Sequence, residues 1–398
     1  MLSAFLLTIV TIQGPILDVV PLPLQDGANG RYPMMSSDPA GGVHLCWFAK
    51  GEGKTEMLLQ QSTWQGKQWG PTNSLAQGNN WLVNWADFAK YQQDADGNAI
   101  ASWQTFQPNR KGYGVQKKMR ATSEGKWSDA SSLHKDAEAV EHGFVSFAAL
   151  GEGKFFATWL QSTAAGPPTQ LRYTVAEQSG SESSEYVLDD LVCDCCSTDA
   201  VVLPNGEVVV AYRNRTMEEL RDLRIVRGDP LKPESWSTPL AVDQEEWKTA
   251  GCPVNGPSMA NDGEFIALVY YTEGKLGHPQ VKYLTSQDGG LTFSKPIVLA
   301  SGKSCLGRAA VAVLPGGPAV VSWLQKQVGA VDSAAWVACA IPRGEKPGVI
   351  SPIASVQGGR GDGFIQLAAT STRILAAWTA DGGKSVQTAS MTLSEHEE

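Results

Sequence analysis

Seven times along the chain, a turn rich in Gly, Asn or Asp precedes a short apolar run that ends on an aromatic residue. These runs end at Trp47, Trp103, Trp159, Tyr212, Tyr270, Trp323 and Trp378, so neighbouring aromatics recur about every 55 residues. A period of that length marks a repeat architecture. Each unit reads as a strand, a tight turn, the aromatic-ending strand, a third strand such as Val281–Ser286 and a fourth such as Lys295–Ala300. A small four-stranded sheet cannot bury both faces alone, so it stacks on its neighbours until the ring closes. The pattern predicts an all-β chain folded as a single seven-bladed β-propeller. The seventh unit supplies only three strands after Asp362, ending in SVQTASMTL. Ile16–Leu24 is therefore expected to pair with Ser385–Leu393 and latch the ring.

Composition agrees with this reading. Among 398 residues there are 41 glycines, 22 prolines and 13 tryptophans with only 18% charged residues, which suits many short strands joined by turns. The formal net charge of −9 argues against nucleic acid as a partner, since that affinity comes from clustered Lys and Arg. No apolar run reaches the length needed to span a bilayer as a helix. Residues 1–13 are apolar and of signal-peptide length, although no Lys or Arg precedes Arg31. They are expected to be an export signal, with the propeller over 14–393 and an acidic tail over 394–398. Seven cysteines, several close together, suit an oxidising compartment and an extracytoplasmic location. A monomer is expected.

In a propeller the start of each innermost strand and the loop between the second and third strands share one rim. Counting back about 16 residues from each aromatic places Arg31, Asp87, His142, Cys193 to Cys196, Cys252, Cys305 with Arg308, and Asp362 on that rim. The loops after the aromatics add Arg213, Arg215, Arg221, Glu273 and His278. A ligand site at this mouth of the channel is expected. Disulfides among Cys193, Cys195, Cys196 and Cys252 are the favoured reading of the cysteines. A thiolate metal or redox site is the other reading, although the spacing is not that of a zinc ribbon. No cofactor or metal is assigned. Cys46 and Cys339 fall within strands and read as core residues, and His142 and His278 read as loop histidines.

The segment Ser286-Gln-Asp288-Gly-Gly290-Leu-Thr292-Phe293 matches the pattern Ser-x-Asp-x-Gly-x-Thr-Trp, with Phe for Trp, between the third and fourth strands of the fifth unit. With it the chain resembles the sialidase-like, Asp-box β-propeller superfamily, and in particular an exported bacterial branch bearing Cys-Asp-Cys-Cys and Cys-Pro-Val-Asn-Gly-Pro segments. The resemblance runs from Arg31 to the end. Ser286, Asp288, Gly290, Thr292 and Phe293 are implied to be structural. Sialidase catalytic domains have six blades, which leaves six as the alternative count. The resemblance also implies a glycan or other acidic small ligand, gripped at its carboxylate by Arg31, which heads an Arg-x-Pro segment, with Arg213 and Arg308 as further clamps. A hydrolase of this type would use Tyr271 as nucleophile, activated by Glu273, and Asp87 or Asp194 as acid. A binding or scaffold propeller without chemistry is the other outcome.

Overall fold

The computed structural model describes residues 14–27, 29–107, 111–136, 140–163, 166–178, 184–327 and 333–394. The expected export signal at 1–13 and all but the first residue of the acidic tail lie outside them. Seven antiparallel sheets form a ring. Six are built from consecutive strands, and the count of seven displaces the six-blade alternative. In blade 2 the innermost strand is broken into Trp81–Leu82 and Lys90–Gln93, both paired with Ala99–Phe106. Blade 7 contains Gln366–Ala369, Ile374–Ala380 and Ser385–Leu393, and its outer strand is Leu17–Leu22, which runs antiparallel to Ser385–Leu393 from Leu17↔Leu393 to Leu22↔Thr388. No helix among the described residues is long and apolar enough to cross a membrane.

The seven aromatics that set the repeat are all buried in second strands. Apolar side chains from facing sheets form a separate core at each of the seven interfaces. Between blades 7 and 1, for example, Ala368, Leu375 and Ala377 meet Val43, Leu45 and Trp47. Each blade thus buries both faces, which is the physical reason that the sequence period appears as a ring.

The Ser286–Phe293 turn joins the third and fourth strands of blade 5 at the rim away from the cysteines. The Ser286 hydroxyl donates to Asp288 Oδ1 at 2.7 Å, and Asp288 accepts from the Thr292 N–H at 2.9 Å and the Thr292 hydroxyl at 2.5 Å. Gly289 and Gly290 have φ of 65° and 86°, a region costly to residues bearing a Cβ. Substituting Asp288 by Ala removes three acceptor contacts and is expected to cost about 1–3 kcal/mol of stability, read by chemical denaturation, with ligand binding unchanged.

The opposite rim, called the top below, carries a second repeated device. Tyr32, Phe144, Arg308 and Gly363 each lie 15 residues before a blade aromatic, and all have positive φ, between 52° and 60°. Register shifts follow Arg31, Gly143 and Gly307. The bulge turns an N–H toward the preceding blade: Tyr32 donates to Thr379 at 2.8 Å, Phe144 to Asp87 at 2.9 Å and Arg308 to Asn255 at 2.6 Å. For three bulky residues this backbone costs on the order of 1–3 kcal/mol each, and such strain gathers at functional surfaces.

Candidate functional site

A cleft of about 270 Å³ on the top rim spans blades 2, 3 and 4. Its walls include Tyr113, Glu141, Gly143, Phe144, Thr169 and Asp194. Tyr113 opens the third strand of blade 2, Glu141 and Gly143 flank the start of the inner strand of blade 3, and Asp194 precedes the inner strand of blade 4. Tyr113 is surrounded by acids. Burial raises its phenol well above the usual range, and Asp87, Glu141, Asp194 and Cys195 add to the effect.

Asp87 lies directly behind this wall. Its Oδ1 accepts from the Phe144 N–H and from Gln104 Nε2 at 2.8 Å. Its Oδ2 is buried without a hydrogen-bond partner and stands 2.1 Å from where a Cβ on Gly143 would sit. Glycine at 143 is required by that approach. Burial pushes the Asp87 carboxyl up to about 7, against the Phe144 hydrogen bond and the field of Lys90. Asp199 is likewise raised by burial to about 6, and buried Lys90 lies in the field of both.

A stability consequence follows with a definite sign. An acid held protonated to about pH 7 in the fold but only to about 3.9 in the unfolded chain contributes stability below pH 4, and this is lost as pH rises toward 7. Asp87→Asn lacks the titration. Its stability relative to wild type is expected to rise between pH 4 and pH 7, by at most about 1.4 kcal/mol for each pH unit crossed. Urea denaturation of both proteins at pH 4.5, 6 and 8 checks this, and a constant difference would contradict it.

The Cys193–Cys196 turn stands beside the cleft. Cys193 Sγ is 3.5 Å from Cys196 Sγ and 3.8 Å from Cys195 Sγ. Arg221 reaches Cys193 Sγ at 3.2 Å, Asp194 at 3.3 Å and Glu219 at 2.9 Å. Hydrogen bonds from Cys195 and Cys196 hold the Cys193 thiol well below its ordinary range, while burial pushes Cys196 up to about 12. Cys252 Sγ and an Asp194 oxygen lie within 4.8 Å of Cys195 Sγ. All seven cysteines are free here, so the expected disulfides among Cys193, Cys195, Cys196 and Cys252 are not formed. The physical reason is convergence: three sulfurs meet at one point, each beyond the roughly 2.05 Å of a disulfide. Cys305, on the same rim, is buried apart from this group.

The arginine clamp does not assemble. Arg213 is 2% exposed, and its guanidinium donates to the main-chain oxygens of Asn255, Arg221 and Tyr271 at 2.7–3.2 Å while lying over Trp247. Arg308 donates to the oxygens of Gly359 and Gly363 at 2.8 and 2.9 Å and stacks over Trp85, and burial pushes it down to about 10. The Arg213 fork is filled by the fold, and Arg308 spends one terminal nitrogen, Nη1, on main-chain oxygens. Arg31 heads blade 1, half-buried, with an unpartnered Nε. Tyr271 does donate its hydroxyl to Glu273, but the ring is packed against Trp247 and neither residue lines the cleft. Asp87 and this Tyr–Glu pair therefore do not share one site.

His142 is corrected as well. It is fully buried in the inner strand of blade 3, with Nε2 3.1 Å from Asp136 and its ring stacked 3.6 Å from His134. Sequence reasoning missed Tyr113, Glu141 and Phe144 as cleft walls. Glu141 and Phe144 flank a marked blade start and were within reach, whereas nothing in the repeat singles out Tyr113.

No family model matches the chain, and no curated protein matches it in sequence. Among solved structures, a protein of unknown function from Dyadobacter fermentans is 13% identical, covering 96% of this chain and 100% of its own, with a TM-score of 0.53. A polysaccharide lyase is 9% identical, covering 97% and 94%, with a TM-score of 0.55. A microbial sialidase is 11% identical, covering 86% and 74%, with a TM-score of 0.48. At these identities the first two likenesses establish the propeller fold and nothing finer.

Proposed function

We propose that the protein binds a neutral sugar, or a similarly hydroxyl-rich small ligand, in the Tyr113–Asp194 cleft, outside the cytoplasm. The observation that carries the reading is the lining itself: the aromatic residues Tyr113 and Phe144 beside Thr169, Glu141 and Asp194, backed by the unpartnered Oδ2 of Asp87. Carboxylates accept hydrogen bonds from sugar hydroxyls, and aromatic faces take the apolar face of a ring. The volume of about 270 Å³ falls just below the roughly 300–1,000 Å³ of small-molecule sites, which fits a terminal unit better than a long chain.

The same lining disfavours an acidic sugar. A ligand carboxylate about 4 Å from Glu141 would meet repulsion of roughly 1 kcal/mol in water and 4 kcal/mol at an effective dielectric of 20, while the Asp194 charge is met by Arg221 and Arg215. The Arg213 fork, filled by main-chain oxygens, is not free to offset it.

The test is calorimetric binding to a panel of neutral oligosaccharides and their uronate or sialoside counterparts. Wild type is expected to bind a neutral member, Tyr113→Ala to weaken that binding at least 10-fold, and Glu141→Gln to admit acidic counterparts more readily. Binding restricted to acidic sugars and lost in Arg31→Ala would overturn the reading and restore the arginine grip.

A further inference from the structure

The cysteine turn holds a separate arrangement that the sugar reading does not use. We propose that Cys193, Cys195 and Cys196 bind one soft cation, Zn²⁺ or Cu⁺, on the top rim of blade 4, with Cys252, beside Cys195, swinging in as a fourth ligand.

The geometry carries this. The three Sγ atoms lie within 4.8 Å of one another, with Cys193 Sγ 3.5 and 3.8 Å from the other two. Sulfurs sharing a tetrahedral zinc at about 2.3 Å stand about 3.8 Å apart. The turn therefore presents thiols at nearly the spacing that a bound ion requires, and a disulfide would need one pair to close by more than an ångström while leaving the third sulfur alone. Cys252, from the start of blade 5, comes within 4.8 Å of Cys195 Sγ and is exposed, so an ion has a path in from solvent.

The donor set and its surroundings select the class of ion. Thiolates favour Zn²⁺ and Cu⁺ over Mg²⁺ and Ca²⁺, which take oxygen. Three or four thiolates around such an ion carry net negative charge. Arg221 contacts Cys193 Sγ directly and is fixed by Glu219, while Arg215 holds Glu219 at 2.6 Å and reaches Asp194 at 3.8 Å. Outer partners of this kind orient ligands and tune affinity. The histidine-containing group, His134, Asp136 and His142, is not an equivalent site. His134 Nε2 accepts from the Val115 N–H at 3.3 Å and its Nδ1 faces the Asp136 oxygen at 3.1 Å, so both nitrogens are in use.

The experiment takes the full chain, reduced and stripped by a chelator without oxygen. It is titrated with Zn²⁺ against a chromophoric chelator, and with Cu⁺ against a bicinchoninate competitor. One equivalent of at least one ion is expected. Affinity should fall more than about 100-fold in Cys193→Ser and Cys196→Ser, about 10–100-fold in Arg221→Gln, and not at all in Cys339→Ala. A measurement on wild type alone guards against variants that fail to fold: loaded protein should lose alkylation at Cys195 and Cys252, and Co²⁺ loading should give the intense absorption of tetrahedral thiolate ligation. Absence of stoichiometric binding by the reduced protein overturns the proposal. So does binding that survives in Cys193→Ser, or alkylation of Cys195 and Cys252 that the ion leaves unchanged.

Discussion

Removing residues up to Leu24 is expected to leave a chain that melts far below the intact protein and aggregates. The Leu17–Leu22 strand pairs with Ser385–Leu393 along its whole length, and its attachments extend further. The Ser394 N–H donates to the Ile16 oxygen at 2.9 Å, the Val349 N–H to the Pro15 oxygen at 3.2 Å and the Thr388 hydroxyl to the Leu22 oxygen at 3.0 Å. Leu17 is buried in the core between blades 6 and 7. At about 0.5–1.5 kcal/mol net for each ladder bond, plus the burial of Leu17, the loss is on the order of 5 kcal/mol or more. That is comparable with the roughly 5–15 kcal/mol by which domains are stable. The deletion also leaves the last strand of blade 7 as an open edge, which pairs with other chains. Circular dichroism melting with size-exclusion chromatography reads both effects. A truncated chain that melts with the intact protein and elutes as one species would contradict the closure.

Arg213→Ala is the second large effect, and it is one of folding. The side chain ties the blade 4 strand end to the Asn255 loop and to the end of the Phe265–Thr272 strand through the Asn255 and Tyr271 oxygens, and to its own loop through the Arg221 oxygen. Alanine leaves those carbonyls buried without donors and removes the cation from the face of Trp247. A cost of about 3–5 kcal/mol is expected. Arg213→Lys should recover little of it, because an ammonium cannot span acceptors that a planar fork reaches together. Arg31→Ala, at a half-buried position, should cost about 1 kcal/mol or less. Denaturant midpoints rank the three. Arg213→Ala as stable as wild type would mean that the fork is free for a ligand after all.

The propeller and its blade count were readable because a buried aromatic recurs at the same place in every blade, and a core position must be apolar wherever it recurs. The rim was readable for the same reason: an offset from Trp159 finds the blade start at His142, and an offset from Tyr212 finds the Cys193 turn. What those residues do was not. The hydrogen-bond partners of Arg213 and Arg308 are main-chain oxygens, which every residue has, so no side chain in the sequence announces these contacts. Asp87 stood out as a candidate acid, and its buried, unpartnered oxygen depends on the absence of a side chain at Gly143, one blade away. Tyr113 enters the cleft from the third strand of blade 2, and third-strand starts follow loops of variable length that blur any offset.

The most direct test of the account is a crystal structure of the protein soaked with a neutral oligosaccharide from the binding panel. Ligand density is expected on the top rim against Tyr113, Phe144 and Thr169, with hydroxyls on Glu141 and Asp194. Density instead in the groove of the opposite rim beside Glu207, Arg227 and Leu291, or against Arg31 at the mouth of blade 1, would contradict it.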